Sequence, residues 1–434
     1  MTTVAEVRLW GRRIGAVSLD EGAEVAAFEY DPEFAASRIE VAPLAMPLAP
    51  RIYAFPQLPK PAFQGLPGLL ADSLPDRFGH ALIDAWLASQ GRRPESFNAI
   101  ERLCFVGARG MGALEYAPAV RAGLDRSAKL RVEGLVRLAS EVLTARRDLA
   151  GSFDVARRHT ALTEILRVGT SAGGARAKAV IAWNPATDEV RSGQVTAPPG
   201  FTYWLLKFDG VSGNRDKELE DPRGYTVVEY AYSRMAAAAG ITMMDCRLLE
   251  EGGRRHFMTR RYDRDANGGK VHAQSLGALA HLDYNAAGAH SYEQCFDAIK
   301  RLGLPMSDRE QQFRRMAFNV VARNQDDHVK NIAFLMDKAG RWSLAPAFDV
   351  TYAYNPSGAW TARHQMTING RREAITRADL RAVAAVAGLK RGRADALLDE
   401  VCGAVARWPE LAREVDLPAA MRGAIQAALR LRLS

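Results

Sequence analysis

The chain has 434 residues, 48% of them hydrophobic and 25% charged, a globular composition that excludes a disordered or fibrous chain. Its length calls for two or three packed units of roughly 100–200 residues each. Lys plus Arg total 58 against 50 Asp plus Glu, so the formal net charge is +8, a modest lean toward an anionic partner and a weak sign of nucleic-acid binding by the chain alone.

The first residues, MTTVAEVRLWGRRIGAVSLDEG, lack an apolar signal region and a small-residue cleavage site. No window reaches about 18 uncharged apolar residues, so no membrane span is expected and a cytoplasmic location is. Cys104, Cys246, Cys295 and Cys402 lie far apart with no C-x-x-C spacing, which favours reduced thiols over disulfides or structural zinc.

VRLWGRRIGAVSL and AEVAAFEYD read as short strands of a meander or small barrel. The Pro-rich stretch APLAMPLAPRIYAFPQLPKP suits neither a helix nor a central strand. DRFGHALIDAWLASQ repeats its apolar residues at helical spacing, and RGMGALEYAP reads as a Gly-bounded strand. Residues 1–124 thus form an N-terminal β-rich subdomain. From about 125 to 165 a charged connecting helix is expected. RVGTSAGGARAKAVIAW then reads as a Gly-rich loop entering a strand, and TYWLLKFDG as a second strand. Residues 226–239 form a helix ended by Gly240. Residues 125–262 make a second segment and 263–434 a mainly helical third.

The most informative stretch is FNVVARNQDDHVKNIAFLMDKAGRWSLAPAFDV. An amphipathic helix leads into a polar loop; a strand, a turn and a second strand ending at Asp349 follow. A carboxylate at Asp326, an amide at Asn331 and a second carboxylate at Asp349, beyond a hairpin, are what phosphoryl transfer from ATP requires. One carboxylate accepts the proton of the attacking hydroxyl. The amide oxygen and the second carboxylate offer Mg²⁺ the hard oxygen ligands it demands. A polar loop held by Asx turns would use the same residue types.

Upstream pieces occur in the order a kinase needs. Gly169, Gly173 and Gly174 let backbone N–H groups approach phosphates; the run continues Ala175-Arg176, so it is not a Walker loop. Lys207 ends an apolar strand and Glu229 on the next helix is its candidate ion-pair partner.

NQDDHVKN, PAFDV, TSAGGARAK and RGMGALEY together resemble the HipA family of serine/threonine kinases, toxins of bacterial type II toxin–antitoxin modules. The resemblance covers nearly the whole chain. It implies an α+β, protein-kinase-like core of two lobes, one a small mixed β lobe and the other large and all-helical, behind the β-rich subdomain. It makes Asp326 the proton acceptor and places His328, Val329, Lys330 and Asn331 at the nucleotide phosphates. Phe348 and Asp349 lie at the nucleotide and the metal, with Asn331 and Asp349 holding Mg²⁺. Gly173, Gly174, Ala175, Arg176, Ala177 and Lys178 cover ATP, and Lys207 meets its phosphates. Arg260, Arg261 and Tyr262 correspond to the adenine hinge, where family members often carry Glu in place of Arg260. Ser171, or its neighbour Thr170, matches an autophosphorylated serine. The resemblance also implies a small helix-turn-helix antitoxin as partner, DNA bound only through that antitoxin, and a translation component such as an aminoacyl-tRNA synthetase as substrate. Two alternatives share these residues: a binding module or corepressor without catalysis, and a small-molecule kinase.

Two other patterns read as ordinary structure. Asp263 to Gly268 opens like a calcium loop, but its twelfth position is Gln274, and an Asn-Gly hairpin turn is expected instead. His272, His281 and His290 recur every nine residues, a spacing that does not bring them onto one helical face.

Overall fold

The computed structural model describes residues 2–119, 124, 127, 129–145, 155–169, 176–211, 215–216, 219–220 and 223–433. Two compact units emerge. The first comprises residues 1–40, 48–226 and 247–273, and the second residues 41–47, 227–246 and 274–434.

In the first unit, β1 (Thr3–Leu9), β2 (Arg12–Leu19), β3 (Ala27–Tyr30), β4 (Ile52–Tyr53) and β5 (Leu114–Ala117) form an antiparallel sheet in the order β4-β3-β2-β1-β5. Trp10 and Gly11 both have positive φ (51° and 80°), so the β1–β2 connection turns in the sense that matches strand twist. Gly15 is required by close approach, because a Cβ there would lie 2.3 Å from the carbonyl oxygen of Glu29.

The second sheet contains β6 (Lys178–Asn184), β7 (Glu189–Ser192), β8 (Thr202–Lys207), β11 (Cys246–Glu251) and β12 (Arg254–Arg260), in the order β11-β12-β8-β6-β7. Two short strands, β9 (Arg215–Asp216) and β10 (Leu219–Glu220), pair as a separate ribbon. The expected connecting helix is two helices, Val132–Ala145 and Val155–Gly169. Buried Ile165, Leu166 and Val168 carry the second to Gly169, beyond the point where the Gly-rich loop was expected to begin. Gly169 serves helix packing: a Cβ there would meet Leu82 Cδ1 at 2.5 Å. One apolar cluster joins these helices, the helix Arg77–Ser89 and the second sheet through residues such as Phe78, Leu82, Ile165, Ile181, Trp204 and Met258.

An ion pair lies inside this unit. Arg261 grips both oxygens of Asp263 at 2.8 and 2.6 Å and donates to the Gly193 carbonyl at 3.0 Å, while Gly112 N–H donates to Asp263 at 2.7 Å. Both side chains are fully buried. Burial pushes the Asp263 carboxyl up, but Arg261 and the surrounding donors more than reverse this and hold it below the usual carboxylate range. Arg261→Ala strands that charge without its partner and is expected to cost about 3–5 kcal/mol of stability, read by urea denaturation.

In the second unit, Tyr232 sits between Phe318 and Trp408, with ring centroids 6.2 and 5.3 Å away, and its hydroxyl donates to the Ala322 carbonyl. The predicted 226–239 helix is present as Tyr225–Ala238, and Gly240 follows with φ 74°. Helix Met306–Val321 buries Phe313, Met316, Ala317 and Val320, an i, i+3, i+4, i+7 stripe. The hairpin after the polar loop pairs β14 (Ala333–Met336) with β15 (Trp342–Leu344). The second strand was expected to run to Asp349 but ends at Leu344. Pro346 has no N–H to continue a ladder, and Ala347 donates instead to the Thr242 carbonyl. The short strand β13 (His272–Ser275) completes the set. Among the described residues no helix is long and apolar enough to cross a membrane.

Candidate active site

The polar loop is shaped from both ends. Arg323 takes a left-handed conformation (φ 58°) that turns the chain out of helix Met306–Val321. Ala353 N–H then donates to the Arg323 carbonyl and Gln325 N–H to the Ala353 carbonyl, so the loop runs beside the segment that follows Asp349. Val329–Asn331 forms one 3₁₀ turn, closed by Asn331 N–H on the His328 carbonyl.

The two adjacent aspartates have opposite fates. Asp327 is buried and accepts from the Tyr292 hydroxyl at 2.8 Å, His364 Nδ1 at 2.8 Å and Gln365 N–H at 2.7 Å. Burial pushes this carboxyl up, but His364 and the other donors hold it below the ordinary value. Asn319 and Asn324 extend the network behind Tyr292. Asp326 instead retains 26% exposure of its side chain. Its Oδ1 accepts the Trp360 indole N–H at 2.6 Å, with His328 Nε2 3.9 Å away. Asp327 is thus a structural anchor, while Asp326 can meet a substrate.

Asn331 donates its amide N–H to the Asp326 carbonyl at 2.8 Å, which orients the opposite end of the amide, the oxygen, away from that bond. Asn331, His328 and Asp349 line one cleft, together with Phe348 and the buried polar side chains of Gln312 and Arg315. Asp349 sits at φ 51°, a conformation rare for non-Gly residues and tolerated by Asp. An amide oxygen and a carboxylate facing one cleft form a donor set that fits Mg²⁺. Lys330 lies with Nζ 4.7 Å from the Tyr284 ring centroid, and Val329 is buried.

The remaining predicted residues belong to other elements. Ser171, Thr170, Gly173, Gly174 and Ala175 lie outside the described residues. The Arg176 guanidinium sits 4.3 Å from the Tyr225 ring centroid, and Ala177 is buried. Lys178 opens β6, buried, and pairs with Asp76 at 3.1 Å. Asp76 also caps helix Arg77–Ser89 by accepting from Gly79 N–H. Lys207 ends β8 directly opposite Lys178, with its Nζ 5.9 Å from the Phe257 ring centroid. Two cations facing each other across a strand pair repel, so the Asp76 carboxylate is needed there. Glu229 is buried on helix Tyr225–Ala238.

Arg260 ends β12 opposite Trp204, and Tyr262 follows, half-buried. The Arg261 side chain is committed to Asp263 and Gly193 and its N–H donates to the Tyr203 carbonyl, so neither is left to make the hinge contact expected of this residue. Asp263 to Gly269 folds as a hairpin turn, with Asp265 accepting from Asn267 and Gly269 N–H groups. Among the described residues no cluster of three or more His, Cys, Asp or Glu could hold a metal ion. Burial holds His272 and His281 neutral, pushed down to about 4. None of the four cysteines forms a disulfide. Trp360, His364, Gln365 and Tyr292 carry no sequence signal of their own; only their place after the Asp349 loop or beside it reveals them.

A β-rich unit and a helical unit bearing a D-x-x-x-x-N loop, a hairpin and a further Asp define a kinase-like α+β scaffold. The chain belongs to the HipA family: the HipA-like C-terminal domain matches residues 170–408 and the HipA N-terminal domain residues 5–117. Among solved structures, it resembles HipA of the Shewanella oneidensis MR-1 toxin–antitoxin system, solved with HipB and its operator DNA. That likeness has a TM-score of 0.66 over 98% of this chain and 95% of the other at 17% identity, and is one of fold. Among curated proteins, the "Putative kinase Y4mE" of Sinorhizobium fredii (strain NBRC 101917 / NGR234) is 30% identical over 171 residues, 35% of this chain. The match spans only 40% of that relative's length.

Proposed function

We propose that this chain is an ATP- and Mg²⁺-dependent protein serine/threonine kinase, the toxin of a HipA/HipB-type module. The observation that carries the reading is the division of labour in the loop: Asp327 buried as an anchor, Asp326 accessible, and Asn331 and Asp349 on one cleft.

In this reading Asp326 accepts the proton of a serine or threonine hydroxyl as it attacks the γ-phosphorus of ATP. Lys207 and Lys330 neutralise phosphate charge. Residues 173–178 cover the nucleotide, with Arg260 to Tyr262 along its adenine. Asn331 and Asp349 would hold Mg²⁺, which when bound supplies charge neutralisation for the phosphates. The protein substrate is a translation component such as an aminoacyl-tRNA synthetase. The partner is a small helix-turn-helix antitoxin, a proposal supported by the HipA relative having been solved with HipB and operator DNA.

Incubation with Mg²⁺-ATP after phosphatase treatment is the direct test. Wild-type chain is expected to gain one phosphoryl group, about 80 Da by intact mass, on Ser171 or Thr170. Neither phosphoryl gain nor ATP binding by calorimetry would sink the kinase reading in favour of a binding module.

A further inference from the structure

Residues Trp360 to Gln365 touch three consecutive loop residues. Gln365 Nε2 donates to the Gln325 carbonyl at 3.3 Å, Trp360 Nε1 to Asp326 Oδ1 at 2.6 Å, and Gln365 N–H to Asp327 Oδ1 at 2.7 Å. His364 adds the bond from Nδ1 to Asp327 Oδ2. The same Gln365 amide donates to the Trp360 carbonyl at 2.6 Å, so the backbone that carries the indole is itself tied down. His364 and Gln365 are both buried, whereas Trp360 and Asp326 are half-buried.

A carboxylate on a short loop can rotate about its side-chain bonds. An indole N–H aimed at one oxygen removes that freedom, because a donor to an ionised acceptor makes a strong, directional bond. We propose that Trp360 is a positioning residue for Asp326, delivered by the Trp360–Gln365 segment and locked to the loop through Asp327. The segment couples the base to the chain that follows the second carboxylate, so displacing the segment would misalign Asp326 without touching the nucleotide. This inference rests on Asp326 acting as the base.

Trp360→Phe keeps an aromatic ring, though a smaller one, and removes the donor. Phosphoryl transfer by the phosphatase-treated full chain is expected to slow about 10- to 100-fold at saturating Mg²⁺-ATP, the scale of a misplaced reacting group. ATP affinity by calorimetry should stay within about twofold and the thermal midpoint nearly unchanged, since the bond lies at a half-buried site. In a ¹⁵N-indole spectrum, the resonance lost in Trp360→Phe should move in Asp326→Ala. A Trp360→Phe chain as fast as wild type would overturn the inference with the kinase reading intact. So would an indole resonance indifferent to Asp326→Ala, or a loss of ATP affinity matching the loss of rate. A wild-type chain that transfers no phosphate would overturn the kinase reading, and this inference with it.

Discussion

Asp326→Ala is expected to lower phosphoryl transfer by about 10²–10⁴-fold, the range a positioned general base contributes. ATP affinity should remain within a few-fold, because the nucleotide contacts proposed for this chain lie on other residues. Stability should hardly move. The side chain is a quarter exposed and accepts the Trp360 indole N–H, so truncation leaves that N–H near solvent, a cost of about 1 kcal/mol. Single-turnover incorporation of phosphate, calorimetric titration with ATP and a thermal melt on the same preparation check all three expectations. An alanine chain with wild-type turnover would remove Asp326 from the chemistry. A chain that melted far below wild type would mean that Asp326 shares the anchoring role of its neighbour.

The element order was readable because its signals are local. Alternating short strands, the 3.6-residue stripe of Phe313, Met316, Ala317 and Val320, and the Gly240 stop each report on neighbours within a turn or two. The hairpin after the loop was placed correctly but drawn too long. The apolar letters of WSLAPAF look like strand, while the missing N–H of Pro346 ends the ladder and the chain pairs with Thr242 instead. Gly169 shows the converse error. A glycine near a glycine-rich run reads as phosphate-binding loop, but its missing Cβ is used to let one helix approach Leu82 and Phe78.

At the site, residue types were legible and their partners were not. Spacing singles out Asp326, Asn331 and Asp349, yet nothing local distinguishes Asp326 from Asp327. That distinction depends on Tyr292, His364 and Gln365, which are 35 to 38 positions away in sequence from the Asp327 they contact. The resemblance to the HipA family places Lys178 over the nucleotide. Its pairing with Asp76, about a hundred residues earlier, is a long-range electrostatic fact that composition and period do not encode.

Asp327→Ala should destabilise the fold rather than merely inactivate. The native carboxylate receives three donors inside a buried network, and truncation leaves the Tyr292 hydroxyl, the Gln365 N–H and His364 Nδ1 without an acceptor. Removing a buried carboxylate that holds three donors costs about 3–5 kcal/mol, so the helical unit should melt roughly 10 °C lower. The pH dependence has a definite sign. Asp327 is held below its ordinary value in the folded chain, so its contribution is fully present above the unfolded pKa of about 3.9 and is lost as pH falls through the lower folded value. Urea melts of wild type and Asp327→Asn, which keeps the shape but not the charge, should therefore differ by a constant amount above about pH 5 and converge below about pH 4. A gap that stayed constant into acid would mean the carboxylate's charge is not what Asp327 contributes, and that shape and neutral hydrogen bonding alone hold the segment from Trp360 to Gln365 against the loop.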